Sequence, residues 1–365
     1  MQRPNLILIN DNPSSNGLGR YAELLYDSIN LNDFFLVQFL SLSFGYGTNK
    51  KNFPGQVLRN GFDEMLSQKF PFIKNIPDLS HFIRSRFINN FINSKRLVFD
   101  SMNISESIIH YTNPGIFPFL INDNTVVTIH DLIFMKWHGL RNSIGDINNK
   151  RYIHHYKKLP FILTFTNFVK KQILELGFAG NVEVIFPSIS KFFFPIPDSK
   201  ELIRNKLKLP QDKILILSVS TNRPGKNLKA LKEMMRLMDE RYKLVRVGVP
   251  VGDSITFQHV SDETLNEIYN ACDVMVFPST EEGFGRPVTE AFKVGLPVVA
   301  SDIEVMQEVC GNAAILTEPT PHKIAQSIGE ALSNSDIFRS KGFNRSLLFG
   351  VERFKEDMIK FYRRI

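Results

Sequence analysis

Two cysteines and one tryptophan occur in 365 residues. Cys272 and Cys310 stand alone, with no Cys-x-x-Cys pattern, so no disulfide framework or thiolate metal site is encoded. The simple expectation is a reducing cytoplasm with both thiols structural. No Asp-x-Asp occurs, and no His, Cys, Asp or Glu cluster has metal-ligand spacing, so no metal and no cofactor are expected. No apolar run approaches the ~18 residues of a membrane span. The start, Met1-Gln-Arg-Pro-Asn-Leu-Ile-Leu-Ile-Asn10, has too short an apolar core for a signal peptide and reads as a first strand. There is no basic stripe with interleaved stacking aromatics, which argues against nucleic acid as a partner. Gly17-Leu-Gly19 does not complete Gly-x-Gly-x-x-Gly, which argues against a dinucleotide oxidoreductase.

What is present is ordinary for a globular protein: 43% apolar and 22% charged residues. The length fits two domains. The net charge of +7 is uneven, with 19 Lys and Arg against 13 Asp and Glu in residues 1–180. That excess is read as a solvated basic surface or as peripheral contact with an anionic acceptor or membrane.

The chain is organised around Pro278-Ser-Thr-Glu-Glu-Gly-Phe-Gly-Arg-Pro-Val-Thr-Glu290. Asp273 to Phe277 reads as a buried parallel strand. Gly283 and Gly285 leave the following loop without a Cβ, so its backbone can approach a ligand. Pro287 suits the first position of a helix, whose amino end favours phosphate or developing negative charge. Glu282 precedes the glycines, and Glu290 lies one turn into the helix.

The Glu282-x7-Glu290 spacing, with Gly-Phe-Gly-x-Pro inside it, resembles the signature of the retaining glycosyltransferases of family 4. The resemblance implies an α/β, GT-B architecture: two doubly wound Rossmann-like domains facing a central cleft. It also implies a nucleotide-sugar donor, a glycan or lipid-linked acceptor, and metal-independent hexosyl transfer. Under it, Glu282 and the amides of Gly283, Phe284 and Gly285 fix the donor sugar, and Glu290 accepts from the ribose hydroxyls. An ionised carboxylate is chemically apt there, having acceptor sites only.

Other segments extend the likeness, which is specific over 213–317 and looser over 1–190. Ser218-Val-Ser-Thr-Asn-Arg-Pro-Gly-Lys-Asn227 resembles the family's phosphate clamp, giving diphosphate contacts to Lys226 and Arg223. Gly225 stands where many members have arginine, a departure that leaves room for a catalytically silent nucleotide-sugar binding module. The turn before Ser261 corresponds to a nucleobase site, with backbone near Val260. Gly17 and Gly19, in a polar loop after the first strand, resemble the glycine loop that faces the donor phosphates. His130, at the carboxyl end of a strand, is expected to contact the donor sugar; the competing reading ties it to Asp131 as a capping pair. Lys170-Lys171 read as phosphate or acceptor contacts or as plain surface lysines. Glu282, His130 and Lys226 are thus the expected catalytic residues. His130-Asp-Leu and Lys226-Asn-Leu lean the donor toward GDP-mannose. A different GT-B enzyme, such as a sugar-nucleotide epimerase, is the alternative.

Expected boundaries are an acceptor-binding domain at 1–190, a donor-binding domain at 191–345, and a helix at 346–365 crossing back to the first domain. Phe186 to Pro197 reads as the linker. Residues 43–100 are irregular, apart from a basic amphipathic pattern over Leu79–Leu97. That pattern fits a helix packed on the core; the competing reading is a helix on an anionic membrane.

Overall fold

The computed structural model describes residues 5–10, 17–30, 36–41, 104–115, 118, 121–136 and 153–365. The pattern at 79–97 lies outside the described residues. Two compact units are present: Met1–Pro187 with Phe354–Ile365, and Ser188–Arg353.

In the first unit the described strands are β1 (Asn5–Asn10), β2 (Leu36–Ser41), β3 (Ile108–Tyr111), β4 (Thr125–Thr128), β5 (Phe161–Thr164) and β6 (Asn181–Val184). They form one parallel sheet in the order β2-β1-β3-β4-β5-β6. Helices α1 (Gly17–Asn30), α2 (Ile133–Lys136) and α3 (Asn167–Glu175) follow their strands. Strands β1, β3, β4 and β5 are buried along almost their whole length, as in a sheet covered on both faces. Ile7, Ile9, Ile109, Val127 and Ile162 form one core with Val169 and Ile173 of α3.

The helix α1 corrects one expectation. Gly17 and Gly19 lie in its first turn, whereas a polar loop reaching Gly19 was expected. The buried stripe Tyr21, Leu25 and Ile29 is in phase with that earlier start.

The second unit opens with α4 (Lys200–Leu207), capped by Ser199, whose Oγ accepts from Leu202 N at 3.3 Å. There follow β7 (Ile214–Ser220), a 3₁₀ turn (Pro224–Lys226), α5 (Leu228–Leu237), β8 (Tyr242–Gly248), β9 (Ile255–Phe257) and α6 (Asp262–Ala271). Next come β10 (Val274–Phe277), α7 (Arg286–Val294), β11 (Val298–Ser301), α8 (Glu304–Cys310), β12 (Ile315–Thr317), α9 (Pro321–Ser333) and α10 (Ser335–Ser346). The sheet is parallel, in the order β12-β11-β10-β7-β8-β9. Counted from the unit's own start this is 3-2-1-4-5-6 read from the β9 edge, the nucleotide-binding order. The direction of winding reverses between β7 and β10, and ligands of such sheets bind beyond the carboxyl ends of the strands at that point.

Phe186 to Pro197 is anchored rather than a loose connector. Ile189 N donates to Phe349 O at 2.9 Å, Phe194 N to Asn266 Oδ1 at 3.1 Å and Ile196 N to Asn270 Oδ1 at 2.9 Å. These bonds tie the segment from Ser188 to Pro197 to the second unit. The last helix, α11 (Val351–Tyr362), starts two residues later than Phe349, because Leu347–Phe349 form a 3₁₀ turn that Gly350 ends. Its buried residues Phe354, Met358, Phe361 and Tyr362 belong to the first unit.

Candidate functional site

Two loops leave the sheet of the second unit at the reversal point, one after β7 and one after β10, and they are stitched together. Thr280 N donates to Gly225 O at 2.8 Å. Lys226 Nζ meets Glu282 Oε1 at 2.5 Å and lies 5.6 Å from the centre of the Phe277 ring. The lysine side chain is 19% exposed and that of Glu282 9%. The pair therefore sits at the rim of the fold, where water still reaches it and screens its attraction.

Local chemistry explains both loops. After Ser220 the chain reaches Arg223, whose extended backbone opens the 3₁₀ turn with Pro224 next. Asn227 closes the turn in the left-handed region (φ 52°) and begins α5. Asparagine tolerates that conformation better than most residues. The second loop ends at Gly285, the N-cap of α7, with φ 90°. A Cβ there would come within 2.6 Å of Met306 Cε, the movable end of a flexible side chain, so it is the left-handed conformation that demands glycine. Helix α7 begins at Arg286, placing Pro287 second rather than first. Its amino end, the buried Gly283 and Phe284, and Glu282 belong to the loop after β10, and Lys226 reaches Glu282 from the loop after β7. Such an end attracts anions.

Glu290 is buried and held by other contacts. Tyr269 Oη donates to its Oε2 at 2.9 Å, and Arg286 Nε stands 3.9 Å from its Oε1. Tyr269 is fully buried, and its hydroxyl also lies 3.3 Å from Pro287 O. Sequence reading placed Tyr269 only on an apolar helix face; a hydroxyl opposite a buried carboxylate leaves no signature in spacing.

Lys226 and Glu282 are thus in contact, and Phe277 bridges toward Gly285, whose Cβ position lies 3.5 Å from that ring. Arg223 is exposed. A Cβ on Gly225 would meet Glu281 Cβ at 3.2 Å and Oε2 at 3.3 Å, a tight fit that a small shift of Glu281 relieves. Val260 is half-buried between β9 and α6, beside His259 at φ 53°. Ser261 caps α6 by accepting from Thr264 N at 3.2 Å.

In the first unit, His130 lies two residues beyond β4. Its Nε2 is 2.8 Å from Thr112 O, and a carbonyl partner requires that nitrogen to bear the hydrogen. Its ring stands edge-on to Tyr21 and Phe165, with centroids 5.0 and 4.7 Å away. Asp131 caps the start of α2, accepting from Ile133 N at 3.0 Å. Lys170 is half-buried and Lys171 exposed on α3, whose N-cap is Thr166.

A charged residue missed at first is Arg246 on β8. It is fully buried, and its guanidinium reaches the carbonyls of Ser218 (2.8 Å) and Ser220 (3.0 Å). Burial pushes its pKa down to about 10, still charged at neutral pH. The signal available was one arginine inside Lys-Leu-Val-Arg-Val-Gly.

The thiols are buried, that of Cys310 pushed up to about 12 by burial. Among the described residues no group of three or more His, Cys, Asp or Glu is placed to hold a metal ion, and no helix is long and apolar enough to cross a membrane.

Residues 199–341 match the family described as Glycosyl transferases group 1. The O-antigen chain mannosyltransferase RfbU of Salmonella typhimurium is 28% identical over 189 residues, 47% of this chain and 50% of that protein. The chain thus spans about half the length of the curated relatives it matches. Among solved structures, a sucrose-phosphate synthase from Thermosynechococcus elongatus superposes with a TM-score of 0.71 at 18% identity over 99% of both chains. Anabaena HepE, solved with UDP and glucose, gives 0.70 at 14% identity over 100% of both. The fold is therefore GT-B.

Proposed function

We propose that the chain is a glycosyltransferase that moves a hexosyl group, with retention, from a nucleotide-diphosphate sugar to a glycan or lipid-linked acceptor. The observation on which this rests is the Lys226–Glu282 contact beside the amino end of α7, at the reversal point of a nucleotide-binding sheet. The group 1 match over the same unit supports it.

In this reading the bond that breaks joins the anomeric carbon to the diphosphate oxygen. Negative charge grows on that oxygen, and Lys226, Arg223 and the α7 amides are the groups that stabilise it. The acceptor hydroxyl attacks the face the diphosphate leaves, and its proton passes to the departing phosphate. Protein cations take the place of a divalent ion. Glu282 exchanges its ion pair with Lys226 for sugar hydroxyls and positions the donor without becoming a covalent nucleophile. Glu290, oriented by Tyr269, accepts from the ribose. His130 is assigned a hydrogen bond to the donor sugar. Backbone near Val260 is assigned the base edge.

The likeness to RfbU, a mannosyltransferase by name, supports mannose as the transferred sugar and so the lean to GDP-mannose, while HepE was solved with UDP and glucose. A thermal-shift panel of nucleotide diphosphates and their sugars separates these, because a ligand of the folded state raises the midpoint with its concentration. The expected result is a rise with GDP and GDP-mannose above that with UDP-glucose. Transfer to a panel of glycan and lipid-linked acceptors, with the product's anomeric configuration read by NMR, tests the reaction. Turnover of donor without any acceptor would instead identify an epimerase, and binding with neither hydrolysis nor transfer a silent binding module.

A further inference from the structure

We propose that Arg246 is a positioning residue for the phosphate-binding turn and the source of its net positive field. The inference rests on the donor reading of the second unit and adds a residue outside the motifs that suggested it.

Arg246 is 0% exposed, and all five of its hydrogen-bond partners are neutral oxygens. They are Val249 O (3.3 Å), Ser218 O (2.8 Å), Ser218 Oγ (3.2 Å), Ser220 Oγ (3.3 Å) and Ser220 O (3.0 Å). A buried guanidinium without a carboxylate is costly to fold. What it gains is grip on the carboxyl end of β7. Ser220 is the last residue of that strand, and Lys226 follows six residues later. Gly248 supports the same carbonyl from the neighbouring strand. Its φ is 130°, and a Cβ there would overlap Ser220 O and lie 3.0 Å from Arg246 Nη2. Arg246 and Gly248 therefore form one device that fixes where the chain leaves β7.

Charge gives the second half of the argument. Lys226 is matched by Glu282, and Glu281 lies against Gly225. With Arg223, the two stitched loops hold two cations and two carboxylates, and Arg286 at the start of α7 is offset by Glu290. Arg246, beneath them, tips the balance positive. A fixed charge in a poorly solvated place attracts a diphosphate without having to reorganise as the ligand arrives. Arginine suits this because its planar fork grips two carbonyls at once and stays charged when desolvated.

The test compares full-length wild type, Arg246→Met and Arg246→Lys. GDP and UDP binding is measured by calorimetry, and guanosine and uridine binding by ligand-observed NMR. Arg246→Met is expected to weaken diphosphate binding at least tenfold while nucleoside binding stays within twofold. Arg246→Lys, which keeps charge and loses the fork, is expected to be intermediate. Equal weakening of diphosphate and nucleoside, or no change in either, overturns the proposal. If Arg246→Met fails to fold, Arg246→Lys decides: a three- to tenfold loss for diphosphates alone supports the role, and wild-type affinity for both refutes it. A wild-type chain that binds no nucleoside diphosphate overturns the donor reading, and this inference with it.

Discussion

The two units bury polar groups in different ways. In the first, Tyr362, His110, Thr128 and Tyr21 form a hydrogen-bonded chain. His110 Nδ1 meets Tyr362 Oη at 2.5 Å and Nε2 meets Thr128 Oγ1 at 2.7 Å, which in turn is 3.2 Å from Tyr21 Oη. All four groups are neutral. Burial, and after it the charge of His130, pushes His110 down to about 3, and burial raises both tyrosines. The second unit also buries neutral groups, among them Ser218, Asn266 and Thr289, but it adds charged ones: Arg204 paired with Asp273, Arg246, Glu290 and, at the rim, Lys226 with Glu282. A satisfied neutral network strengthens a fold, whereas unmatched buried charge weakens it. The first unit therefore spends its buried polarity on holding together, and the second keeps charge where a ligand can use it.

The strongest challenge to that contrast is Lys226→Met. Transfer should fall 10²–10³-fold, about 3–4 kcal/mol of transition-state stabilisation, with the thermal midpoint within a few degrees of wild type. A collapsed midpoint with retained activity would reverse the assignment. Next comes acid stability. The unfolded chain takes up a proton near the ordinary histidine value of 6.5, the folded chain only near 3. The contribution of His110 is thus full above pH 6.5 and is lost as pH falls toward 3. By pH 4.5 the loss should be on the order of 2–3 kcal/mol. Urea midpoints at pH 7 and 4.5 should show it, and His110→Gln should flatten the difference; an equal slope in the variant removes His110 from the account. Glu290→Ala should weaken donor binding by ~1–3 kcal/mol in calorimetry, since ribose hydroxyls lose their acceptor. Unchanged affinity would free Glu290 of that role. The smallest effect is Ser261→Ala, which removes the α6 cap and should cost ~1 kcal/mol of stability, read from the urea midpoint.

Much of the second unit was legible because its strands are continuous apolar runs bounded by glycine and proline. Val274–Phe277 begins one residue after the expected start at Asp273. Helix α10 was not legible. Its packing runs through small residues, Gly342 against Phe292 and Ser346, so no apolar stripe marks it. The site divides likewise. The Gly-Phe-Gly loop is written in residue types, and the approach of Glu281 to Gly225 is not, because the two are distant in sequence. Arg246 reaches Ser220, 26 residues away, and Tyr269 reaches Glu290, 21 away, through contacts that only the fold creates.

Tyr362 is the partner of His110, and 252 positions separate them. During vectorial synthesis the imidazole is made long before the phenol that will receive it. At roughly 5–20 residues per second the wait is on the order of 10–50 s. The whole 188–353 unit is made in that interval, between the two partners of one hydrogen bond. The six strands of the first sheet are made early, but the polar network behind them is complete only once α11 has been added.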